Sequence, residues 1–219
     1  MRILIATKNK GKFGEIHGVL KDVPGVEFVF LGDLVEEFGD FDDSDFAEDG
    51  ETHAENSYKK ARYYYDRLAE EHGFDYSLGE DSGVYVDALA DELGIKTRRW
   101  GAGHDASDED WLAHFMEEMG RRAPAEDDRG ARFVCHASLV GDGVGEEEGS
   151  CEGFEGETMG GIATESLADI LPGLPLSSVF VVDGFEKAYA ELSQEEKNQI
   201  SHRGQAISKF KKWLLGRLG

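Results

Sequence analysis

The chain has 219 residues, enough to bury a core without disulfide or metal staples. Its 46 acidic and 23 basic residues give a formal net charge of −23, a field that repels a nucleic-acid backbone and argues against duplex DNA or RNA as the main ligand. Cys135 and Cys151 lack both a CxxC partner and a histidine at ligand spacing, so a reduced, cytoplasmic setting is expected. The first residues enter a strand pattern with no leader-like segment, and no apolar run approaches the roughly 18 residues of a membrane helix. A soluble protein without a membrane partner is expected. The acidic runs at 39–51 and 145–149 read as solvated surface.

Taken in chain order, Arg2–Ala6 reads as a buried strand. From Gly11 onward, Phe13, Ile16 and Leu20 share one helical face. Residues 26–31, "VEFVFL", predict a second strand, followed by an acidic loop. Thr52 and Glu55 form a capping-box pattern that predicts a helix running to Gly73. "FDYSLGEDSGVYVDAL" reads as a strand that breaks into a glycine turn at Gly79–Gly83. Ser107 and Asp110 suggest a further cap, and Leu112, Phe115, Met116 and Met119 make an apolar helical stripe suited to a core. In 131–141, Phe133, Cys135, Ala137 and Leu139 alternate onto one face of a half-buried strand. The Gly- and Glu-rich segment 142–160 predicts a turn, and 177–184 a strand. Ser193 and Glu196 predict a capped helix, with a break near Ser201 before Ile207, Phe210 and Leu214 resume helical spacing. No repeat or linker interrupts 1–219, which reads as a single α/β unit of mixed strands.

Three polar clusters stand at expected strand ends or helix starts. Thr7, Lys8, Asn9, Lys10, Gly11 and Lys12 follow a strand and open a helix, where backbone N–H groups and the positive helix end converge. They miss the P-loop pattern G-x-x-x-x-G-K-S/T: Ala6 stands at the first glycine and Phe13 at the metal-binding hydroxyl. On spacing alone, a solvated basic turn fits as well as a phosphate site. Glu80, Asp81 and Ser82 place two adjacent carboxylates where Mg²⁺ and a water can be held, or where an acidic turn simply meets solvent. Lys197, His202 and Arg203 bring cations and donors to a helix start, suited to phosphate or a purine edge.

Several stretches together resemble one family. "ATKNKGKFGEI" resembles A-T-x-N-x-G-K, "GETHAENSYKKA" resembles G-x-T-F-x-E-N-A-x-x-K-A, and "EDSGVYVDAL" resembles D-D-S-G-L-x-V-D-A-L. "GIKTRRWGAG" is similar to G-V-Y-S-A-R-Y-A-G, "RGARFVCHASLV" to R-x-A-R-F-x-C-x-L, and "AELSQEEKNQISHRGQA" to A-E-L-x-x-x-E-K-N-x-I-S-H-R-x-x-A. In this order they span nearly the whole chain, and the pattern is that of the inosine/xanthosine triphosphate pyrophosphatases. The resemblance implies an elongated α/β fold of two lobes around a central cleft, built on a mixed β-sheet with flanking helices and usually found as a homodimer. It implies Mg²⁺-dependent hydrolysis of non-standard purine nucleoside triphosphates to monophosphate and pyrophosphate. Carried over, Thr7 to Lys12 would cradle phosphates, Asp81 would be the metal-linked general base, and Ser82 would contact substrate. Lys197, His202 and Arg203 would hold phosphates and base. A second metal-binding acid would lie near Glu48.

One stretch departs from the pattern. Where the family reads G-F-G-Y-D-P-I-F, this chain has Gly173-Leu174-Pro175-Leu176-Ser177-Ser178-Val179-Phe180, without the aromatic or the Asp-Pro. Phosphate chemistry therefore transfers more safely than base preference. A pyrophosphatase for a pyrimidine or modified purine is a second reading, and a nucleotide-binding protein without turnover a third.

Overall fold

The computed structural model describes residues 1–39, 43–90, 92–103, 105–144 and 151–219. Strands β1 (Arg2–Ile5), β2 (Glu27–Phe30), β3 (Tyr76–Val86), β4 (Gly130–Gly141), β5 (Glu152–Ile162) and β6 (Phe180–Val182) form one sheet in the order β2-β1-β3-β4-β5-β6. The helices are α1 (Lys10–Leu20), α2 (Leu31–Phe38), α3 (His53–His72), α4 (Asp108–Arg122), α5 (Gln194–Ile200) and α6 (His202–Leu218). β1 lies parallel to β2 and β3, as helical crossovers between these strands require. The β3-β4-β5-β6 half is antiparallel.

Every α-helix but α2 starts where a side chain takes up a free backbone N–H: Asn9 for α1, Thr52 for α3, Ser107 for α4, Ser193 for α5 and Ser201 for α6. Ser193 and Glu196 close the expected capping box in both directions. Ser201 ends α5 and caps α6, so the break expected there is a re-start with the chain in extended conformation.

One face of β3 explains how the sheet divides the molecule. Leu78 belongs to a core built from β1, α1, α6 and the adjoining end of β4. Val84 and Val86 belong to a second core with Trp111, Phe115 and Met119 of α4 and Phe180 and Val182 of β6. Between them, on the same face by strand alternation, stand Glu80 and Ser82. The two lobes thus share long strands, and the polar gap between their cores falls mid-strand. A third, smaller cluster seals α2 and α3 against β1 through Leu4, Leu31, Tyr64 and Leu68.

The structure corrects four local expectations. Gly79–Gly83 is not a turn, because β3 runs unbroken through it with each residue paired to β4. Gly79 is there for close packing: a Cβ would come 2.3 Å from the carbonyl oxygen of Ser57 on α3. Leu31 opens α2, whose apolar Leu31 and Leu34 face inward, so the acidic loop begins later than expected. The segment 142–160 is largely strand β5 from Glu152 onward, while 145–149 lies outside the described residues. The strand expected at 177–184 shrinks to Phe180–Val182, since Pro175–Ser178 form a 3₁₀ turn.

Candidate active site

The stretch after β1 forms the floor of a cleft. The Asn9 side chain accepts from the Lys12 N–H (3.0 Å) and donates to the Gly173 carbonyl (3.1 Å), fixing the entry to α1. The Lys12 ammonium reaches Glu80 at 2.9 Å. Lys8 pairs with Asp43 at 3.0 Å on the rim. Thr7, Lys8, Asn9 and Lys12 all line the cleft. Lys10 does not: it is solvent-exposed and paired with Glu36 (2.7 Å), because its position on α1 turns outward. Nor does Gly11 face the cavity. A Cβ there would come 2.6 Å from the Pro172 carbonyl, so its smallness admits the 172–174 loop.

Strand alternation sends the adjacent carboxylates of β3 to opposite sides, where each takes different hydrogen-bond partners while both feel the charges of Lys12 and Lys60. Glu80, almost fully buried, takes Lys12 and the guanidinium of Arg203, whose Nη2 lies 3.0 Å from Oε1. Burial alone would raise the Glu80 carboxyl, but the charges of Arg203, Lys12 and Lys60 outweigh it and hold it well below the usual carboxylate range. Arg203 also donates to Ser82 Oγ (2.9 Å) and pairs with Glu15, which accepts from the Tyr189 hydroxyl at 2.9 Å. This lattice ties α1, β3 and α6 together.

Asp81 faces α3. Its Oδ2 lies 2.7 Å from His53 Nδ1 and 3.3 Å from Asn56 Nδ2, residues one turn apart by their helical spacing. Burial pushes the Asp81 carboxyl up, yet the His53 hydrogen bond and the charges of Lys12 and Lys60 together leave it below its ordinary value. It is therefore ionised at neutral pH, and Nδ1 of His53 carries the proton of their hydrogen bond. Lys60, one further turn along α3, donates to the Glu80 carbonyl at 3.2 Å and forms an ion pair with Glu48. The Glu48 backbone carbonyl is itself held by Arg99 (2.7 Å). Burial would lower the Lys60 ammonium; Glu48 and Asp81 more than reverse this and raise it.

At the start of α6, His202 is buried with its ring stacked on Phe133, centroids 5.0 Å apart. Burial, and then the charge of Arg203, hold its imidazole well below its ordinary value, so it is neutral. Its Nδ1 has no partner among the described residues. Lys197 does not line the cleft; it lies buried with its ammonium 5.2 Å from the centroid of the Tyr189 ring. Burial lowers its pKa, with Glu15 opposing.

Thr7, Lys8, Asn9, Lys12, Glu48, Lys60, Asp81, His202 and Arg203 border one cavity of about 710 Å³, within the range of small-molecule sites. Its lining includes the polar Thr7, Lys8, Lys12, Glu48, Lys60 and Asp81 and the apolar or aromatic Trp111, Phe133, Leu174, Leu176, Phe180 and Tyr189. The structure brings Glu48, expected only from an uncertain position in an acidic run, to the same wall as Asp81 through Lys60. Reasoning from sequence passed over His53, Asn56 and Lys60. Their spacing along α3, at one face every three or four residues, was the available signal. Glu15 and Tyr189 were also missed, and no local pattern marks them.

No group of three or more His, Cys, Asp or Glu side chains gathers at metal-binding distance among the described residues. Glu48 and Asp81 supply hard carboxylate oxygens, and the hydrogen bonds from His53 and Asn56 fall on Asp81 Oδ2. Such a sparse set suits a cation that takes most of its oxygens from a phosphate ligand and water.

An α/β cleft lined by a cationic phosphate-type loop, ionised carboxylates and apolar and aromatic side chains defines a nucleotide-handling protein. The chain belongs to the Ham1 family, whose sequence pattern matches residues 3–213. It is 34% identical to the dITP/XTP pyrophosphatase of Caldanaerobacter subterraneus, covering 100% of this chain and 98% of that one. The dITP/XTP pyrophosphatase of Aquifex aeolicus is 33% identical over 96% of this chain and 95% of its own. The fold matches the Ham1 protein of Staphylococcus aureus with a TM-score of 0.74 at 30% identity, over 99% of this chain and 100% of that one. A HAM1 protein from Coxiella burnetii matches with a TM-score of 0.75 at 28% identity, over 99% of each chain.

Proposed function

We propose that this chain is a nucleoside triphosphate pyrophosphatase acting on non-standard purine nucleotides such as ITP, dITP and XTP. It releases nucleoside monophosphate and pyrophosphate and so cleanses the nucleotide pool. The observation that carries the reading is Asp81: a buried, ionised carboxylate aligned by His53 and Asn56, beside the ammonium groups of Lys12 and Lys60. In the reaction, water oxygen forms a bond to the α-phosphorus and the bond from that phosphorus to the α–β bridging oxygen breaks. The water proton passes to Asp81, and the electron pair leaves on pyrophosphate. Lys8, Lys12 and Lys60 offset the charge building on the phosphates. Thr7 and Asn9 position them, and Ser82 and Arg203 line the neighbouring wall.

Glu48 and Asp81 would hold Mg²⁺, which neutralises phosphate charge and polarises the bond that breaks when it is bound. Residues 1–219 act as one catalytic unit in this reading, in the cytoplasm and as a homodimer. No helix among the described residues is long and apolar enough to cross a membrane.

Leu174–Ser177 favour a second reading, in which the same chemistry serves a pyrimidine or a modified purine, because this part of the cleft carries no aromatic ring or carboxylate from that loop. Product analysis tests the main reading. With Mg²⁺ and ITP, one pyrophosphate per IMP is expected, with no free phosphate, and Asp81→Asn is expected to slow formation of both products by at least about 100-fold while melting like the parent. Release of orthophosphate, or full activity in Asp81→Asn, overturns the assignment.

A further inference from the structure

The acidic run expected as solvated surface is, over residues 43–50, fastened along one face of α3. Asn56, Lys60, Tyr63, Tyr64 and Arg67 share that face by their helical spacing, and each takes a point on the run. The Tyr64 hydroxyl donates to Asp43 Oδ2 (2.6 Å) and the Tyr63 hydroxyl to Asp45 Oδ1 (2.5 Å). Arg67 pairs with Asp45 Oδ2 (2.6 Å), its guanidinium 4.3 Å from the centroid of the Tyr63 ring. Lys60 pairs with Glu48, and Asn56 Oδ1 accepts from the Gly50 N–H (2.8 Å). Between these points Phe46 packs on Tyr63 and Tyr64, centroids 4.8 and 5.9 Å apart, and lines the cleft.

Both ends of this strap lead into the site. Asp43 also pairs with Lys8 at 3.0 Å. Asn56, whose carbonyl oxygen holds Gly50, gives its amide N–H to Asp81 at 3.3 Å. Glu48 stands between, in a stretch with no helix or strand to place it, whereas Asp81 is fixed by the β3 ladder. Ordering a loop costs entropy at every residue, and an exposed ion pair such as Asp49 with Lys59 offsets little of that. A phenol donating to a carboxylate is a stronger, charge-assisted contact. Burial, and then the carboxylates they meet, raise both phenols above their ordinary range, so both are O–H donors.

Resting on the pyrophosphatase reading, we propose that Tyr63, Tyr64 and Arg67 are positioning residues that hold the strap 43–50 so that Glu48 joins Asp81 at the metal site before substrate arrives. They act through the strap and not on the substrate. Their effect should therefore fall on the metal requirement and leave the chemical step alone.

The test is Tyr63→Phe/Tyr64→Phe, which removes two hydroxyls and keeps the rings under Phe46. Two quantities are measured: the Mg²⁺ concentration for half-maximal pyrophosphate release from ITP, and amide exchange of 43–50 in protein free of nucleotide and metal. The Mg²⁺ requirement is expected to rise about 10-fold, the net worth of one charge-assisted hydrogen bond. At saturating Mg²⁺, kcat should stay within about twofold of the parent. Amide exchange of 43–50 should quicken about 10-fold as well, with β3 unchanged. Asp45→Asn, made on the strap itself and leaving α3 intact, should move both quantities the same way by about threefold. Quicker exchange with an unmoved Mg²⁺ requirement would make the clasp merely structural and overturn the inference, as would an equal fall in kcat at every Mg²⁺ concentration. If the parent releases no pyrophosphate, the pyrophosphatase reading fails. Mn²⁺ binding with ITP, followed by electron paramagnetic resonance, then decides the strap, and about 10-fold weaker Mn²⁺ in the double variant sustains it. If the parent releases pyrophosphate and the double variant matches it in both quantities, only this inference fails.

Discussion

Two parts of the cleft lining are built on opposite rules. In one, charges are locked in advance: Lys12 to Glu80, Lys60 to Glu48, Asp81 to His53 and Asn56. Elsewhere on the lining, Trp111, Phe133, Leu176 and Phe180 offer ring and aliphatic surface to a ligand. The difference teaches where each kind of information resides. Charge stabilisation of a phosphoryl group needs groups fixed before the reaction, since reorganising them during it would add to the barrier. Base choice needs surfaces that are satisfied only by the right partner.

The comparison breaks most sharply at Asp81. Asp81→Asn keeps the shape and the neighbours but removes the proton acceptor, and kcat is expected to fall by roughly 10²- to 10⁴-fold with every nucleotide alike. A loss confined to one base would place Asp81 in recognition. Next comes Lys60→Met. Its charge helps hold the Asp81 carboxyl below its ordinary value, so the parent's acid limb should lie below that of an unperturbed aspartate. A depressed carboxylate contributes above its ordinary value and is lost as pH drops through the depressed one. Removing Lys60 should therefore move the acid limb of kcat/KM upward, together with roughly a tenfold loss in rate. An unmoved acid limb would detach Lys60 from Asp81.

On the apolar part, Leu176→Tyr adds a ring to the cleft lining. It should shift the ratio of purine to pyrimidine kcat/KM by about fivefold, the worth of one aromatic contact, without moving the acid limb. The smallest effect lies outside the cleft. Ser193→Ala removes the cap of α5 and should lower stability by about 1 kcal/mol in urea unfolding, leaving base ranking untouched.

Much of the fold was legible because short-range rules govern it. Thr52, Ser107 and Ser193 announce their helices through caps that depend on neighbours three residues away. The strand β3 was misread at Gly79–Gly83 because glycine and adjacent charges signal a turn locally, whereas packing of α3 and ion pairs from α1 and α6 keep the strand straight. Strand β5 was missed because its alternating glycines and glutamates look like a loop, although they pair along β4 throughout. In the site, the phosphate stretch and Asp81 stood out by residue type and place. Lys10, Gly11 and Lys197 did not reach the cavity, since helix phase and burial decide which members of a basic run face inward.

The most direct test of the central claim is the relative kcat/KM of the parent protein with Mg²⁺ for ITP, dITP, XTP, GTP, ATP, dUTP and TTP, read as pyrophosphate release. The account predicts ITP, dITP and XTP ahead of the standard purines and of both pyrimidines by at least about tenfold. A pyrimidine or ATP in first place would contradict it.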